Sequence, residues 1–167
     1  MMKNIFWINF LLIFLVTISF LQSKNHFLAH ENLEPYKNER YDFSLLITKS
    51  FKKTFSKNGD GIKLVSPISP EIEIRAWGSH NALFHKMEEH IDFIAQSEVI
   101  ESISNIMFNS IQWKQIISKK RGMKIMRIIS LKNDIFYSVY CSAPIKEFDN
   151  YFSLFEKVSH SFRLDFN

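Results

Sequence analysis

Four side chains carry the spacing in this sequence that most invites metal chemistry: His80, His85, Glu89 and His90. His85 and Glu89 are four residues apart and share a face of any helix built there. With His80 at the start of that helix, three ligands for a divalent cation are conceivable. The zinc-protease pattern, however, needs two histidines four apart with a glutamate after the first. Here the two histidines stand five apart, which on a helix turns their rings about 140° away from each other. The cluster therefore reads as the polar side of an exposed helix, and no metal or cofactor is expected.

Nucleophile patterns fall the same way. The sequence has no Gly-x-Ser-x-Gly, and Ser66 and Ser79 stand in turn contexts. Cys141, the one cysteine, could form a thiol dyad with a distant histidine. Yet alternation through Ile135–Cys141 groups it with Ile135, Tyr137 and Val139 on one strand face, where it reads as a buried core thiol. Asn58-Gly59-Asp60-Gly61 starts like a calcium loop but lacks the later oxygen ligands and the closing glutamate. A chain with four glycines shows no phosphate-cradling loop. No catalytic residue is expected.

Charge is just as plain. The chain holds 21 basic and 17 acidic residues, a net +4. Its one basic run, Lys119-Lys120-Arg121 with Lys114 and Lys124 nearby, reads as a solvated hairpin tip. Nucleic-acid binders carry a larger and more clustered excess, so no nucleic-acid partner is expected.

Trp77 stands apart from these. Glu71–Trp77 alternates cleanly, which puts Glu71, Glu73, Arg75 and Trp77 on one face of a strand and the apolar residues on the other. A large aromatic displayed among charges has the character of a binding anchor. Trp77, Arg75 and Glu73 are the candidate protein-binding residues; the alternative is that a loop or the next helix covers Trp77.

The elements that must hold these residues are mostly strands. Tyr41–Ile47 alternates with Phe43, Leu45 and Ile47 on one face, Phe51–Phe55 suggests a short second strand, and Ile62–Ser66 follows the glycine turn. A helix is predicted from Ser79, as N-cap, to about Gln96, with Phe84, Met87, Ile91 and Ile94 at helical spacing. Glu98–Met107 fits strand or helix equally. Ile111–Ile117 alternates, with Ile111, Trp113 and Ile117 on one face, and Arg121-Gly122 marks a turn. Met123–Leu131 and Ile135–Cys141 form a hairpin around Lys132-Asn133-Asp134. After Pro144 a closing helix carries an aromatic stripe of Phe148, Tyr151, Phe152, Phe155, Val158 and Phe162. Its burial requires a sheet or a second helix to pack against.

The N-terminus has a different character. Lys3 precedes 17 uncharged residues, Ile5 to Leu21, followed by Gln22-Ser23-Lys24-Asn25. This is the order of a secretory signal, with a length just at the lower limit for a membrane-spanning helix. Residues 1–23 are read as a signal peptide or N-terminal anchor, 24–40 as a linker, and 41–167 as a single domain. The protein is expected to be secreted or periplasmic, or else tethered to a membrane through residues 5–21.

The opening Tyr41-Asp42-Phe43, Val65-Ser66-Pro67 after the glycine turn, the Glu71–Trp77 strand and the ending Phe155-x-x-Val158-x-x-Ser161-Phe162 resemble the PsbP-like superfamily over about 41–163. That group takes in the photosystem II extrinsic subunit, the Mog-type Ran-binding proteins and many bacterial exported proteins. The Pro-x-x-Trp that many members carry after the first strand is replaced here by Phe51-Lys52-Lys53-Thr54-Phe55. The resemblance implies an α+β domain, an α/β/α sandwich around an antiparallel sheet, with no shared catalytic residues. It also implies an accessory role, binding another protein. The reading is an exported, non-enzymatic accessory protein with a protein partner in the cell envelope. A small-molecule or lipid-binding module stands as the alternative, with a hydrolase or metal enzyme behind it.

Overall fold

Leu33–Asn38 forms strand β1 and Phe43–Thr48 forms β2, paired antiparallel in a computed structural model that describes residues 32–83 and 85–164. The stretch expected to be linker thus supplies a strand within 24–40. Its alternation is weak because β1 is an edge strand, and an edge tolerates Pro35. The rest of that stretch up to residue 31, and the signal or anchor segment, lie outside the described residues. Asn38 ties this hairpin to the next: its Nδ2 donates to the Gly59 carbonyl at 2.8 Å, and its Oδ1 accepts the Tyr41 N–H at 2.9 Å.

β3 (Lys52–Phe55), β4 (Gly61–Val65) and β5 (Glu73–His80) follow as antiparallel neighbours. β5 runs three residues beyond Trp77, so Ser79 pairs with Phe136 in the sheet and does not cap a helix. Helix α1 begins only at Met87 and ends at Ala95, with Lys86 as N-cap. Glu89 Oε2 accepts the Lys86 N–H at 2.9 Å, and Glu88 and Glu89 place acid in the first turn, where the helix dipole favours it. Met87, Ile91 and Ile94 of the expected stripe do face the sheet; Phe84 lies outside the described residues.

Four ten-residue strands form a meander: β6 (Val99–Phe108), β7 (Ile111–Lys120), β8 (Met123–Lys132) and β9 (Ile135–Pro144). Each turn between them is a two-residue pair with positive φ: Asn109-Ser110 at 50° and 59°, Arg121-Gly122 at 48° and 80°, Asn133-Asp134 at 52° and 57°. Such pairs match the right-handed twist of the strands they join. Helix α2 (Ile145–His160) and the two-residue β10 (Arg163–Leu164) close the chain. The sheets are β1-β2-β10 and, with seven strands, β3-β4-β5-β9-β8-β7-β6.

The large sheet is buried on two sides. On one, α2 packs on β8 and β9, and Phe43, Trp113, Tyr137 and Phe162 meet ring to ring. Phe148, Tyr151, Leu154, Phe155 and Val158 fill the helix contact, while Phe152 is only half-buried. On the other side, Ile94 of α1 packs with Ile116, Ile129 and Phe136. Because β7 is covered on both faces, Ile111 and Trp113 are buried from one and Ile116 from the other, and a single alternating stripe does not describe it. This is an α+β sandwich with an antiparallel sheet between helices. Among the described residues no helix is long and apolar enough to cross a membrane.

Cys141 lies on the α2 side, fully buried, with Sγ 3.7 Å from Ser159 Oγ. Burial pushes its thiol up to about 12, with the Ser159 contact acting weakly the other way. The folded protein is expected to leave a thiol-exchange reagent at pH 8 unreacted, and to release one equivalent once denaturant is added. Rapid reaction of the native protein would contradict this burial.

Candidate functional site

Among the described residues, α1 packs on the large sheet around Ile116, Ile129 and Phe136. Toward β3, β4 and β5 the same face carries a row of polar groups set by strand register. Lys63 lies beside Arg75, Arg75 beside Tyr140, and Tyr140 beside Arg127. Glu73 binds the first two, with Oε2 2.7 Å from Lys63 Nζ and Oε1 2.7 Å from Arg75 Nη2. Both guanidinium groups approach the ring of Tyr140, Arg75 Cζ at 5.7 Å and Arg127 Cζ at 5.1 Å from its centroid, within cation–π range. Burial raises the Tyr140 phenol above its ordinary range, so the ring between the two cations is neutral at physiological pH. Arg127 in turn forms a two-point ion pair with Glu98 at 3.0 and 3.3 Å, and Ser118 Oγ donates to Glu98 Oε2 at 2.6 Å.

Beside this row the β3–β4 hairpin and β5 enclose an open groove of about 340 Å³, with Thr54, Lys63, Arg75 and Trp77 on its walls. Gly61 forms its floor. A Cβ there would lie 2.0 Å from the Ala76 carbonyl oxygen and 2.7 Å from Trp77 Cα, so only glycine lets β4 start this close to Trp77. Phe55 is 62% exposed, and its ring stacks on Tyr36 with centroids 6.1 Å apart. By register the Phe55 ring lies with Ile62 and Ala76 on the opposite face, so the apolar part of the groove is Trp77 and its rim is Lys63 and Arg75.

The alternation through β5 therefore places Glu73, Arg75 and Trp77 on one face, as expected. Their environments differ: Arg75 is exposed, Trp77 half-buried, and Glu73 buried beneath its two cations. Glu71 precedes the strand and does not join them. Lys63 completes the groove and was not singled out from sequence. It could not be, because its place beside Arg75 depends on register.

The histidine cluster does not converge. His85 Nδ1 pairs with Glu89 at 3.2 Å. His90 stacks on Phe136 with centroids 4.5 Å apart, and burial, then Arg127 and His85, lower its ionisation range. His80 sits against Tyr41 on the opposite face of the sheet. Among the described residues no group of three or more His, Cys, Asp or Glu could hold a metal ion. At the glycine turn Asn58 Nδ2 donates to Asp60, which also pairs with Arg40 at 3.0 Å.

No family model matches the sequence, and no curated protein is similar to it at sequence level. Solved structures are similar in shape. Cyanobacterial PsbP (CyanoP) from Synechocystis superposes with a TM-score of 0.61 at 10% identity, over 80% of this chain and 93% of that one. The Ran-binding protein Mog1p of Saccharomyces cerevisiae gives 0.54 at 7% identity, over 80% and 96%. A protein from Bacteroides thetaiotaomicron gives 0.51 at 12%, over 78% of this chain but 48% of that one. At such identities what is shared is the architecture, and it agrees with the resemblance read from the sequence: this chain has the PsbP-like fold, common to CyanoP and Mog1p.

Proposed function

We propose that this protein is an exported, non-enzymatic accessory module that binds another protein of the cell envelope through the groove at Trp77. The observation that carries the reading is the groove itself. It joins a half-buried Trp77 to Lys63 and Arg75 on a part of the large sheet where, among the described residues, neither helix packs. Glu73 fixes both cations in place, so little side-chain freedom is lost when a partner docks. An apolar side chain flanked by a carboxylate is the complementary surface. The uncharged run from Ile5 to Leu21 after Lys3 supports export, and the Ran-binding activity of Mog1p shows that the fold can serve protein recognition.

The test places a photoreactive phenylalanine analogue at Thr54, an exposed position on the face of Lys63 and Arg75, in the protein's own host. A discrete cross-linked conjugate is expected in the envelope fraction. With the captured partner in hand, Trp77→Ala is expected to weaken binding roughly tenfold to thirtyfold, the scale of a buried aromatic anchor. Phe55→Ala, on the opposite face of the same hairpin, is the control and should leave affinity unchanged. Unchanged affinity in Trp77→Ala, with the fold intact, would refute the groove as the binding surface.

A further inference from the structure

The large sheet ends in two edges that differ sharply. At one, β3 is four residues long and begins Lys52-Lys53. In the small sheet, edge strand β1 carries Glu34, Pro35 and Lys37. Charges, proline and brevity are the usual protections against strand-to-strand association. At the other end of the large sheet, β6 runs for ten residues, has no lysine or proline, and is exposed over most of its length. Its single charge, Glu101, sits at an irregularity between Ile100 and Ser102 and is paired with Lys119. Beyond it, Ser102–Phe108 is seven regular residues with no charge, proline or glycine. Alternate residues of such a strand turn their N–H and C=O groups outward.

We infer that β6 pairs antiparallel with β6 of a second copy of this chain, across a two-fold axis at Asn105, joining two seven-stranded sheets into one. The sequence of the strand is complementary to itself in that register. Ile103 lies opposite Met107 of the other copy, and this apolar pair occurs twice, once on each side of the axis. Ile103 and Met107 are 47% and 76% exposed in the single chain. Their partners on β7, Ile116 and Gln112, show that they share a sheet face, so the two new pairs extend the apolar surface begun by Ile116. On the opposite face Ser104 meets Ile106, and Ser102 meets Phe108. Asn105 meets its own copy, two amides that can each donate and accept. No like charges face each other, which an unrelated partner strand would have to satisfy by chance. One strand pair covers less than the roughly 800 Å² per partner of a stable interface, so the dimer is weak and concentration-dependent.

The experiment uses the full chain in mild detergent, with the N-terminal segment retained in every variant so that its contribution is constant. Analytical ultracentrifugation is expected to show the wild type passing from dimer to monomer over roughly a hundredfold dilution, while Ile103→Lys and Met107→Lys stay monomeric with unchanged melting. Cysteine substitution then reads the register. Directly opposed residues have Cα atoms about 4.5–5.5 Å apart, within disulfide range, so Asn105→Cys should oxidise to a covalent dimer under copper-phenanthroline. Ile103→Cys should not, because its copy lies about 13 Å away along the strand. Buried Cys141 does not interfere. A wild type that is monomeric throughout, equal cross-linking at both positions, or a purified protein whose β6 is occupied by another polypeptide would each overturn the inference.

Discussion

Replacing Phe162 by alanine will lower the stability of the folded domain by about 3–5 kcal/mol, the cost of deleting a large aromatic from a packed interior. Phe162 lies two residues past the end of α2 and is fully buried. Its ring stacks on Phe43 with centroids 4.8 Å apart and meets the edges of Trp113 at 5.0 Å and Tyr137 at 5.9 Å. Those three rings come from β2, β7 and β9, so one side chain joins the small sheet, the large sheet and the end of the helix. The surrounding groups cannot collapse into the space it leaves, because each is fixed in a strand. A further tie holds this corner: Asn109 Nδ2 donates to the Phe162 carbonyl at 2.8 Å. Urea denaturation is the measurement, with Phe93→Ala as control. Phe93 is 70% exposed on α1, and its loss should change the stability by no more than about 0.5 kcal/mol. By melting temperature, the Phe162 variant should fall by roughly 10 °C. A shift as small as the control's would mean that these rings do not form the common core.

Phe162 was visible in the sequence as the end of an aromatic stripe, and the parts of the fold that were legible share that property of local repetition. The β8–β9 hairpin could be read because both strands alternate and Asn133-Asp134 suits a two-residue turn. The face of Cys141 followed from the same alternation. β6 could not be read. It is an edge strand with neither face fully buried, so selection for alternation is weak, and the irregularity at Glu101 shifts its phase. Ile100, Ile103 and Ile106 then recur every three residues and imitate a helix. Ser79 failed as a helix start for another reason. A small polar residue before a helix and one inside a strand look alike, and its pairing with Phe136 lies across 57 residues of sequence. Of the candidate groove, the shared face of Glu73, Arg75 and Trp77 was legible within one strand. The burial of Glu73 was not, because Lys63 comes from the neighbouring strand.

Long-range pairing is also why the Glu98–Arg127 ion pair carries the second large effect. The two side chains are 6% and 11% exposed and lie 29 residues apart. Removing the acid alone leaves a guanidinium held in the interior with the Tyr140 ring as its remaining neighbour. Breaking a buried pair by deleting one partner costs about 3–5 kcal/mol, whereas replacing both by apolar groups of similar size is often close to neutral. Glu98→Ala is therefore expected to be strongly destabilising. The double variant Glu98→Ala with Arg127→Met is expected to be more stable than Glu98→Ala alone, although it carries one more substitution. That inversion separates an unpaired charge from lost packing, since packing losses would add. The same comparison bears on the groove. Arg127 and Arg75 both rest on Tyr140, so Arg127→Met leaves Arg75 the whole ring and its salt bridge to Glu73. Partner binding should survive in the double variant even where stability falls. If Glu98→Ala proves no less stable than the double variant, the pair does not act as a buried charge couple, and the polar row across the sheet is held by its backbone register alone.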